Sequence, residues 1–595
     1  MSRPSPHLLL RAPTPSQMSL SFCEATPREL KRWIAALPKA NIGEMARQLY
    51  QGMAELNQLV TASENRLQLL ELLRPEVYYV CKHLERHFLN QAIVLDERAR
   101  KVANLCQALQ NQLAIGYKQI IVDIVPKFGK DRVQMLAVSI QRALHCLNGP
   151  LVRASLLYCP VPEGLWLELH QLYQIAREHK VQNTLVADEL ALVHRNLSPE
   201  QTYACGLLLG SSRCNQMRQS AISKLAEALE GWCGLVRIQP ASEPTSLFAI
   251  AAGVDGPPRY KTLFTDDQAA TMLGMDPRAL AEAIKDYLEL PLEQRGQSKL
   301  PIPNGISSDL LQLVAAAWGD VAERTFQRTP GQGTLTLCVG MSSLHFHLGG
   351  RRSFSEILRR PTGGTAAFGA VHTPDTWSHS FDAEKVSSGY EEIQYHQPPG
   401  GASGNDATSS SASSEDFPTY VLQIVNHSPG GYCLAWLKDV PAQLQAGEMV
   451  GIQDAPSQGW SVAVVRWVRQ VRSGGTQMGI ELVAPNAQPC GLQLVRTNEP
   501  NSQYLRGLLL PEIRAIDIPA TLLAPRLPFQ EGNKVVINSN GDESRAGLGK
   551  RVASTGSFNQ FEYRTLEQPA EPSKAPGAAG GGAAEDDFDS LWKDL

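Results

Sequence analysis

Apolar residues recur at three- and four-residue spacing through the first two hundred residues, a pattern typical of amphipathic helices. Polar residues or prolines stand before several of these series, as they do at helix starts. The sequence predicts helices that begin near Thr26, Asn41, Ser63, Pro75 and Asp96, followed by helices near 130–147, 163–179, 200–211 and 213–232. The breaks between them are short, so we expect residues 25–235 to form a helical module, either a bundle or a series of helix-pair repeats.

The rest of the chain has a different pattern. Residues 236–306 are mixed, residues 307–323 predict one further helix, and partial alternation over 333–348 predicts a strand. Further strands, each bounded by Gly, Pro or Asp, are predicted at 420–425, 432–437, 447–454, 460–471 and 476–483. Strands of this length and spacing are typical of a closed antiparallel barrel. A β-rich extension is expected over 501–567.

Several segments have too few apolar residues to fold by themselves. Residues 1–24 are rich in Pro and Ser, and we expect them to be disordered. Residues 349–417 are interpreted as a surface insertion, partly disordered, because residues 398–416 are almost entirely small or polar. Residues 568–595 combine a Gly/Ala linker with an acidic end.

The acidic end carries a helical pattern of its own. Its large apolar residues would share one face of a helix surrounded by aspartates: Phe588, Leu591, Trp592 and Leu595. So short a segment does not hold a helix alone, so the pattern favours a docking peptide that folds in an apolar groove of a partner or of the helical module. A tail that only improves solubility is the alternative.

Composition narrows the class of protein. A chain of 595 residues with 43% hydrophobic and 19% charged residues is globular and long enough for several domains. The net charge of −4 argues against a general nucleic-acid binder. No apolar run is long enough for a membrane span or a signal-peptide core. The 11 cysteines include no C-x-x-C pair, so we expect reduced thiols in a cytoplasmic protein, with neither a metal site nor disulfides.

Two short motifs carry the candidate chemistry. The first, RTFQR, places Arg324 and Arg328 just past a predicted helix, where two guanidiniums can clamp phosphates and stack on purines. The second, NHSPGG, places Asn426 and Ser428 in a turn after a predicted strand, and Gly431 there permits a close backbone approach. Together they suit an anionic ligand with flat bases, that is, a nucleotide. The alternatives are arginines that cap a helix end and a plain hairpin turn.

These motifs resemble those of the PilZ domain, a bacterial module that binds cyclic di-GMP. That family has R-x-x-x-R before its first strand and [D/N]-x-S-x-x-G on its barrel, and GGTQMGIELV at 474–483 is similar to one of its late strands. The resemblance covers about 320–348 and 418–496. It departs from the family in the long separation of the two motifs, by residues 329–425, and in having Asn426 for the commoner Asp.

Together, the helical pattern and the resemblance predict an α+β multidomain protein. Its N-terminal part would be the α-helical bundle or helix-pair repeats, and its C-terminal part a six-stranded antiparallel β-barrel of the PilZ type, over 307–348 and 418–500, with a long low-complexity insertion. The ligand would be cyclic di-GMP, held by Arg324, Arg328, Asn426, Ser428 and Gly431, with no other cofactor. Protein partners would bind the helical module, for which a helical bundle with no ligand of its own is the alternative. The output would concern motility, pili, adhesion or exopolysaccharide. An adaptor with a degenerate barrel that binds no nucleotide is the alternative.

Other candidates are weaker. His345 and His347 would face one way on a strand, but no third metal ligand accompanies them. Arg351-Arg352 and Arg359-Arg360 form a basic patch in the insertion, for which a solvated loop is the default and contact with a phosphate or an acidic partner the alternative. Motifs of hydrolases, kinases, P-loop enzymes and zinc proteases are absent, as are working cyclase and phosphodiesterase signatures, so we expect no enzyme.

Overall fold

The first half of the chain is helical, as the spacing of its apolar residues predicts. The computed structural model describes residues 9–193, 195–319, 328–358, 417–437, 440–472, 474–496, 500–512 and 518–566. The helices of this half are α1 (Pro27–Ala35), α2 (Ile42–Gln58), α3 (Ser63–Leu84), α4 (Glu97–Ile124), α5 (Val133–Leu156), α6 (Leu165–Glu178), α7 (Pro199–Ser211) and α8 (Gln219–Trp232). A hairpin of β1 (Val186–Ala187) and β2 (Asn196–Leu197) lies between α6 and α7.

Three predicted helix starts are confirmed by side-chain caps. Oxygens of Thr26, Asn41 and Asp96 each accept a hydrogen bond from the backbone N–H three residues on, at 3.4, 3.1 and 2.6 Å. The predicted start at Pro75 is wrong, because that residue lies inside α3. Burial of the apolar residues on both sides of Pro75 offsets the local cost of proline within a helix.

The N-terminal segment is packed rather than disordered over residues 9–24. Leu10 is buried, and the ring of Phe22 lies 4.5 Å from that of Trp33 on α1. Backbone N–H groups of this segment donate to the carbonyl that ends α2. The prediction of disorder is therefore wrong for this stretch. Although its composition is rich in Pro and Ser, its few apolar side chains pack against the helical module. Residues 1–8 lie outside the described residues.

The mixed region forms a small sheet flanked by helices. Its elements are β3 (Arg237–Pro240), β4 (Phe248–Ile250), β5 (Arg259–Tyr260), α9 (Asp266–Ala270), β6 (Leu273–Asp276), α10 (Arg278–Glu289) and α11 (Ser308–Gly319). The strand order is β3-β6-β4-β5. Helix α11 docks on the helical module, where Trp318 Nε1 donates to Ser211 Oγ of α7 at 3.1 Å.

A first barrel follows, built from antiparallel strands. They are β7 (Thr329–Pro330), β8 (Thr334–Val339), β9 (Thr419–Ser428), β10 (Gly431–Trp436), β11 (Met449–Gln453), β12 (Ser461–Gln470) and β13 (Thr476–Pro485). The order is β10-β13-β12-β11-β8-β9-β7, and β9 also pairs with β10. That last pairing closes a ring of six strands, which confirms the predicted six-stranded architecture.

The strand predicted over 333–348 is only half correct. Strand β8 ends before Gly340, whose φ of +86° turns the chain into helix α12 (Met341–Leu348). His345 and His347 therefore lie on a helix, and both are buried. His345 Nε2 donates to the Cys490 carbonyl at 3.1 Å. The prediction that both face one way on a strand is wrong, because a short apolar segment fits both periodicities.

The expected surface insertion begins with a packed segment. Helix α13 (Phe354–Ile357) buries Ile357, and the next residue, Leu358, packs against Gly491 of the following barrel. The insertion thus begins with a stretch in which Gly349, Ile357 and Leu358 are buried, which corrects the expectation of a surface segment at these three residues. Arg351 and Arg352 are exposed, whereas Arg359, Arg360 and the stretch 398–416 lie outside the described residues.

A second, separate barrel ends the described chain. It consists of β14 (Gln488–Leu494), β15 (Leu505–Leu510), β16 (Thr521–Pro525), β17 (Lys534–Ser539), β18 (Asp542–Ser554) and β19 (Phe558–Thr565), in the closed order β14-β15-β16-β19-β18-β17. The expected extension over 501–567 is therefore a complete barrel, and it begins at β14 rather than after residue 500. The tail with Phe588, Leu591, Trp592 and Leu595 lies outside the described residues.

The helical module and both barrels meet at one side chain. Arg218, at the start of α8, pairs with Glu448 of the first barrel at 3.3 Å. Ser557 of the second barrel donates to the same carboxylate.

Within the described ranges, no helix combines the length and the hydropathy needed to cross a lipid bilayer.

Candidate binding site on the first barrel

Strand β9 brings the two halves of the split motif together. On one edge it pairs with β10, Ser428 opposite Gly431. On the other edge it pairs with β7, Thr329 opposite His427. Arg328 stands one residue before that pair and so continues the ladder toward Ser428. Although residues 329–425 separate the two motifs in the sequence, strand pairing brings Arg328 beside the turn motif. Arg324 lies outside the described residues.

Gly431 is required by the backbone at this position. Its φ is +154°, and a Cβ there would overlap the carbonyl oxygen of Ile480 on β13. The preceding carbonyl, of Gly430, accepts the Leu482 N–H at 3.0 Å. Glycine therefore lets β10 approach β13 closely directly after the motif turn.

Asn426 and Ser428 are the polar groups of the motif. The Asn426 Oδ1 is buried, and no donor from the described residues reaches it. Ser428 Oγ donates a long hydrogen bond, 3.5 Å, to the Gly431 carbonyl. A buried acceptor without a donor is costly, so this amide is suited to a ligand that donates a hydrogen bond.

The motif faces outward from the barrel. On β10, Leu434 and Trp436 point into the apolar core, so the alternate residues Cys433 and Ala435 point outward. Directly paired residues share a face of the sheet. One outward row therefore runs across four strands through Asn426, Cys433, Gly479 and Trp467.

Positive charge dominates this outward face. Arg328 is exposed and has no ion-pair partner among the described residues. Burial raises the pKa of the Cys433 thiol, and the charges of Arg469 and Arg328 oppose that rise, so both guanidiniums lie near Cys433. Glu481, the partner of Gly431 in the β10–β13 ladder, is neutralised by Arg466 at 2.5 Å. The face can therefore accept an anion.

Two residues of this face were missed by the sequence reasoning, Trp467 and Arg469. They stand on β12 in WSVAVVRWVRQV, where an aromatic and a cationic residue interrupt an apolar strand at outward positions. That interruption was the available signal. Whether Trp467 and Arg469 lie on the face of the motif depends on which strands are neighbours. The pairing of β12 with β13 places them there.

A cavity elsewhere is less suited to a ligand. It has a volume of about 340 Å³ and lies where α5, α6 and α7 meet the first barrel. Its charged groups already have partners: Arg472 donates to the Val161 carbonyl, Arg213 to Tyr260, and Asp255 accepts from backbone N–H groups that begin α6. No cluster of residues able to hold a metal ion occurs in the described part of the chain.

The chain is similar in sequence to known proteins over most of its length. Three family models match consecutive parts of the chain. They are the N-terminal domain of the cyclic-di-GMP receptor FimW over residues 28–243, its middle PilZ domain over 247–489, and its C-terminal β-barrel domain over 490–566. The cyclic-di-GMP receptor FimW of Pseudomonas aeruginosa (strain PAO1) is 59% identical over 607 aligned positions, which cover 100% of both chains.

This chain belongs to the FimW family. The resemblance to the PilZ domain is confirmed, and the middle domain of the family extends further than expected, since it includes most of the mixed region. The family boundary at 489/490 falls where β14 begins the second barrel. No solved structure matches the chain.

Proposed function

We propose that this protein is a cyclic di-GMP receptor that binds its ligand on the outward face of the first barrel. The observation that carries the proposal is the pairing of β7 with β9, which places Arg328 beside Asn426 and Ser428. Arg328 forms no ion pair with any other described residue, so its guanidinium is available to a phosphate. The family membership supports the same ligand, because the Pseudomonas relative is named as its receptor.

Each site residue has a role in this proposal. Arg324 and Arg328 hold the phosphates and stack on guanine faces. The buried Asn426 Oδ1 accepts from the N–H edge of a guanine, and Ser428 bonds a phosphate or the base edge. Gly431 keeps β10 close to β13 and leaves the face open. Binding of this kind uses no catalytic group, so we propose a receptor and not an enzyme.

The arginine motif is one short segment away from the helical module. It follows α11, whose Trp318 is bonded to α7. A ligand that holds Arg324 and Arg328 against β9 therefore acts on a segment anchored in that module. We propose that the helical module passes this change to a protein partner, with the C-terminal tail as a second docking element.

Location and output are part of the proposal. The 11 cysteines are free thiols, which is typical of a reducing compartment, so we propose that the protein acts in the cytoplasm. The outputs expected from the PilZ resemblance, namely motility, pili, adhesion or exopolysaccharide, remain the candidates.

Calorimetric titration of the full chain with cyclic di-GMP tests the proposed ligand. We expect Arg324→Ala and Arg328→Ala each to weaken binding at least tenfold, about 1.4 kcal/mol, through loss of a charge-assisted phosphate contact. Arg545→Ala, an exposed arginine on the second barrel, is the matched control and should bind as the wild type does. Unchanged affinity in both motif variants would remove the proposed site. No binding by the wild type would favour the adaptor with a degenerate barrel.

A further inference from the structure

The outward face that carries the motif has a second wall on β12. Trp467 stands opposite Gly479 on β13, and Gly479 stands opposite Cys433 on β10. A Cβ at Gly479 would overlap the indole nitrogen of Trp467, so the indole lies directly over this glycine. Glycine is needed here because any side chain would lift the ring from the sheet.

Arg469 is held on top of this arrangement. Its guanidinium carbon lies 5.2 Å from the centroid of the Trp467 ring. Its Nε and Nη2 both donate to Gln477 Oε1, at 3.2 and 2.8 Å. An exposed arginine is usually free to move, whereas here an aromatic face and an amide hold its planar end in one orientation. Its Nη1 takes part in neither of these two hydrogen bonds.

The space between the two walls has a floor of small residues. Gly431 and Cys433 lie between the motif strand and Gly479, which the indole of Trp467 covers. Strands β9 and β12 are separated by three inter-strand spacings, about 14 Å. Long side chains from the two sides can therefore contact opposite ends of a dinucleotide laid across this floor. The electrostatic influence of both Arg328 and Arg469 at Cys433 agrees with this placement.

We infer that Arg469 is a third cationic ligand-binding residue of this face, opposite Arg328, and that Trp467 and Gln477 position its guanidinium. The inference rests on the proposed function, since it assigns a further contact to the same cyclic di-GMP. Arg469 offers its planar face to a guanine base and its remaining N–H groups to a phosphate oxygen. Arg466 does not share this role, because Glu481 already occupies its guanidinium.

Titration of the full-length protein with cyclic di-GMP tests the inference. We expect Arg469→Gln to weaken binding about tenfold. The unfolding temperature without ligand should stay unchanged, because the side chain is exposed. The rise in that temperature on adding ligand should shrink, since this rise reports binding and a merely structural role would not affect it. Arg545→Gln on the second barrel is the control and should match the wild type.

Variants of the supporting residues separate positioning from direct contact. Trp467→Ala and Gly479→Ala should both weaken binding although the arginine is kept, whereas Trp467→Phe should restore most of the affinity. If the wild type and Arg469→Gln bind equally while Arg328→Ala binds weakly, the inference is overturned and the proposed function stands. If the wild type does not bind, both are overturned.

Discussion

The two barrels of this protein have the same number of antiparallel strands but very different surfaces. Both close a ring of six strands around an apolar core. On the first barrel, Gly431 and Gly479 are held in tight backbone or ring contacts on the face that carries the motif. On the second barrel, Gly547 of β18 has open space where a side chain would project. A shared architecture therefore does not imply a shared ligand, because outward residues decide the chemistry.

The barrels also differ in how their cores connect with the rest of the molecule. The core of the first merges with that of the helical module, whereas the second has a cluster of its own. A further cluster is shared between them, in which Met449 and Val462 of the first barrel pack with Leu508 and Phe558 of the second. The second barrel thus acts as a structural support of the first.

Removal of the second barrel should have the largest effect. A chain ending at residue 489 loses Leu508, Leu523 and Phe558 from the shared cluster, and each buried side chain of this kind contributes about 1.5–3 kcal/mol. We expect the first barrel to lose several kcal/mol of stability, measured by calorimetric unfolding, and to aggregate. A chain ending at residue 566 retains both barrels and is the control. Equal unfolding temperatures for the chains ending at 489 and 566 would show that the barrels are independent.

Glycine substitution should distinguish the two surfaces. Gly431→Ala places a methyl group against the Ile480 carbonyl, so we expect a loss of about 2–3 kcal/mol in the free energy of unfolding and weakened ligand binding. Gly547→Ala meets no neighbouring atom and should be nearly neutral. Denaturant unfolding of both variants measures the difference. A similar loss in the two would contradict the special role of the motif face.

The seam between the barrels should be sensitive to acid. Burial lowers the pKa of His345 to about 4, from an ordinary value of about 6.5. Its neutral form is therefore favoured by folding, and this stabilisation is complete above pH 6.5 and is lost as the pH falls toward 4. We expect His345 to account for a loss of about 2 kcal/mol between pH 7 and pH 5.

His345→Gln tests this by removing the titration while keeping a donor for the Cys490 carbonyl. Its free energy of unfolding should fall less between pH 7 and pH 5 than that of the wild type. Other buried histidines, such as His145, are present in both proteins, so the difference isolates His345. His83→Gln, on the surface of the helical module, is the control. Identical pH profiles for wild type and His345→Gln would refute the assignment.

Deletion of residues 398–416 should have the smallest effect. The stretch has almost no apolar residue to bury, and the cost of closing a loop changes slowly with its length. We expect the unfolding temperature and the affinity for cyclic di-GMP to be nearly unaltered. A cooperative loss of folding on this deletion would show that the stretch is structural and that the split motif needs another explanation.

Much of the helical half and the strand-rich character of the rest could be predicted from local signals. Helix caps such as Asn41 and the periodicity after them lie within a few residues of each other, so a short window contains the information. The Asn426–Gly431 motif was recognisable for the same reason. Short apolar segments were ambiguous, which is why His345 was expected on a strand.

By itself the sequence determined the helical module, the presence of barrel strands and the residues of the turn motif. Only the tertiary structure decided that Arg328 lies beside that motif and that β14 starts a new barrel. It also decided that Trp467 and Arg469 lie on the face that carries the motif. The physical reason is that strand pairing is non-local. Each ladder offers the same backbone hydrogen bonds to any partner, so the neighbour is selected by closure of the whole core, to which residues far apart in the chain contribute.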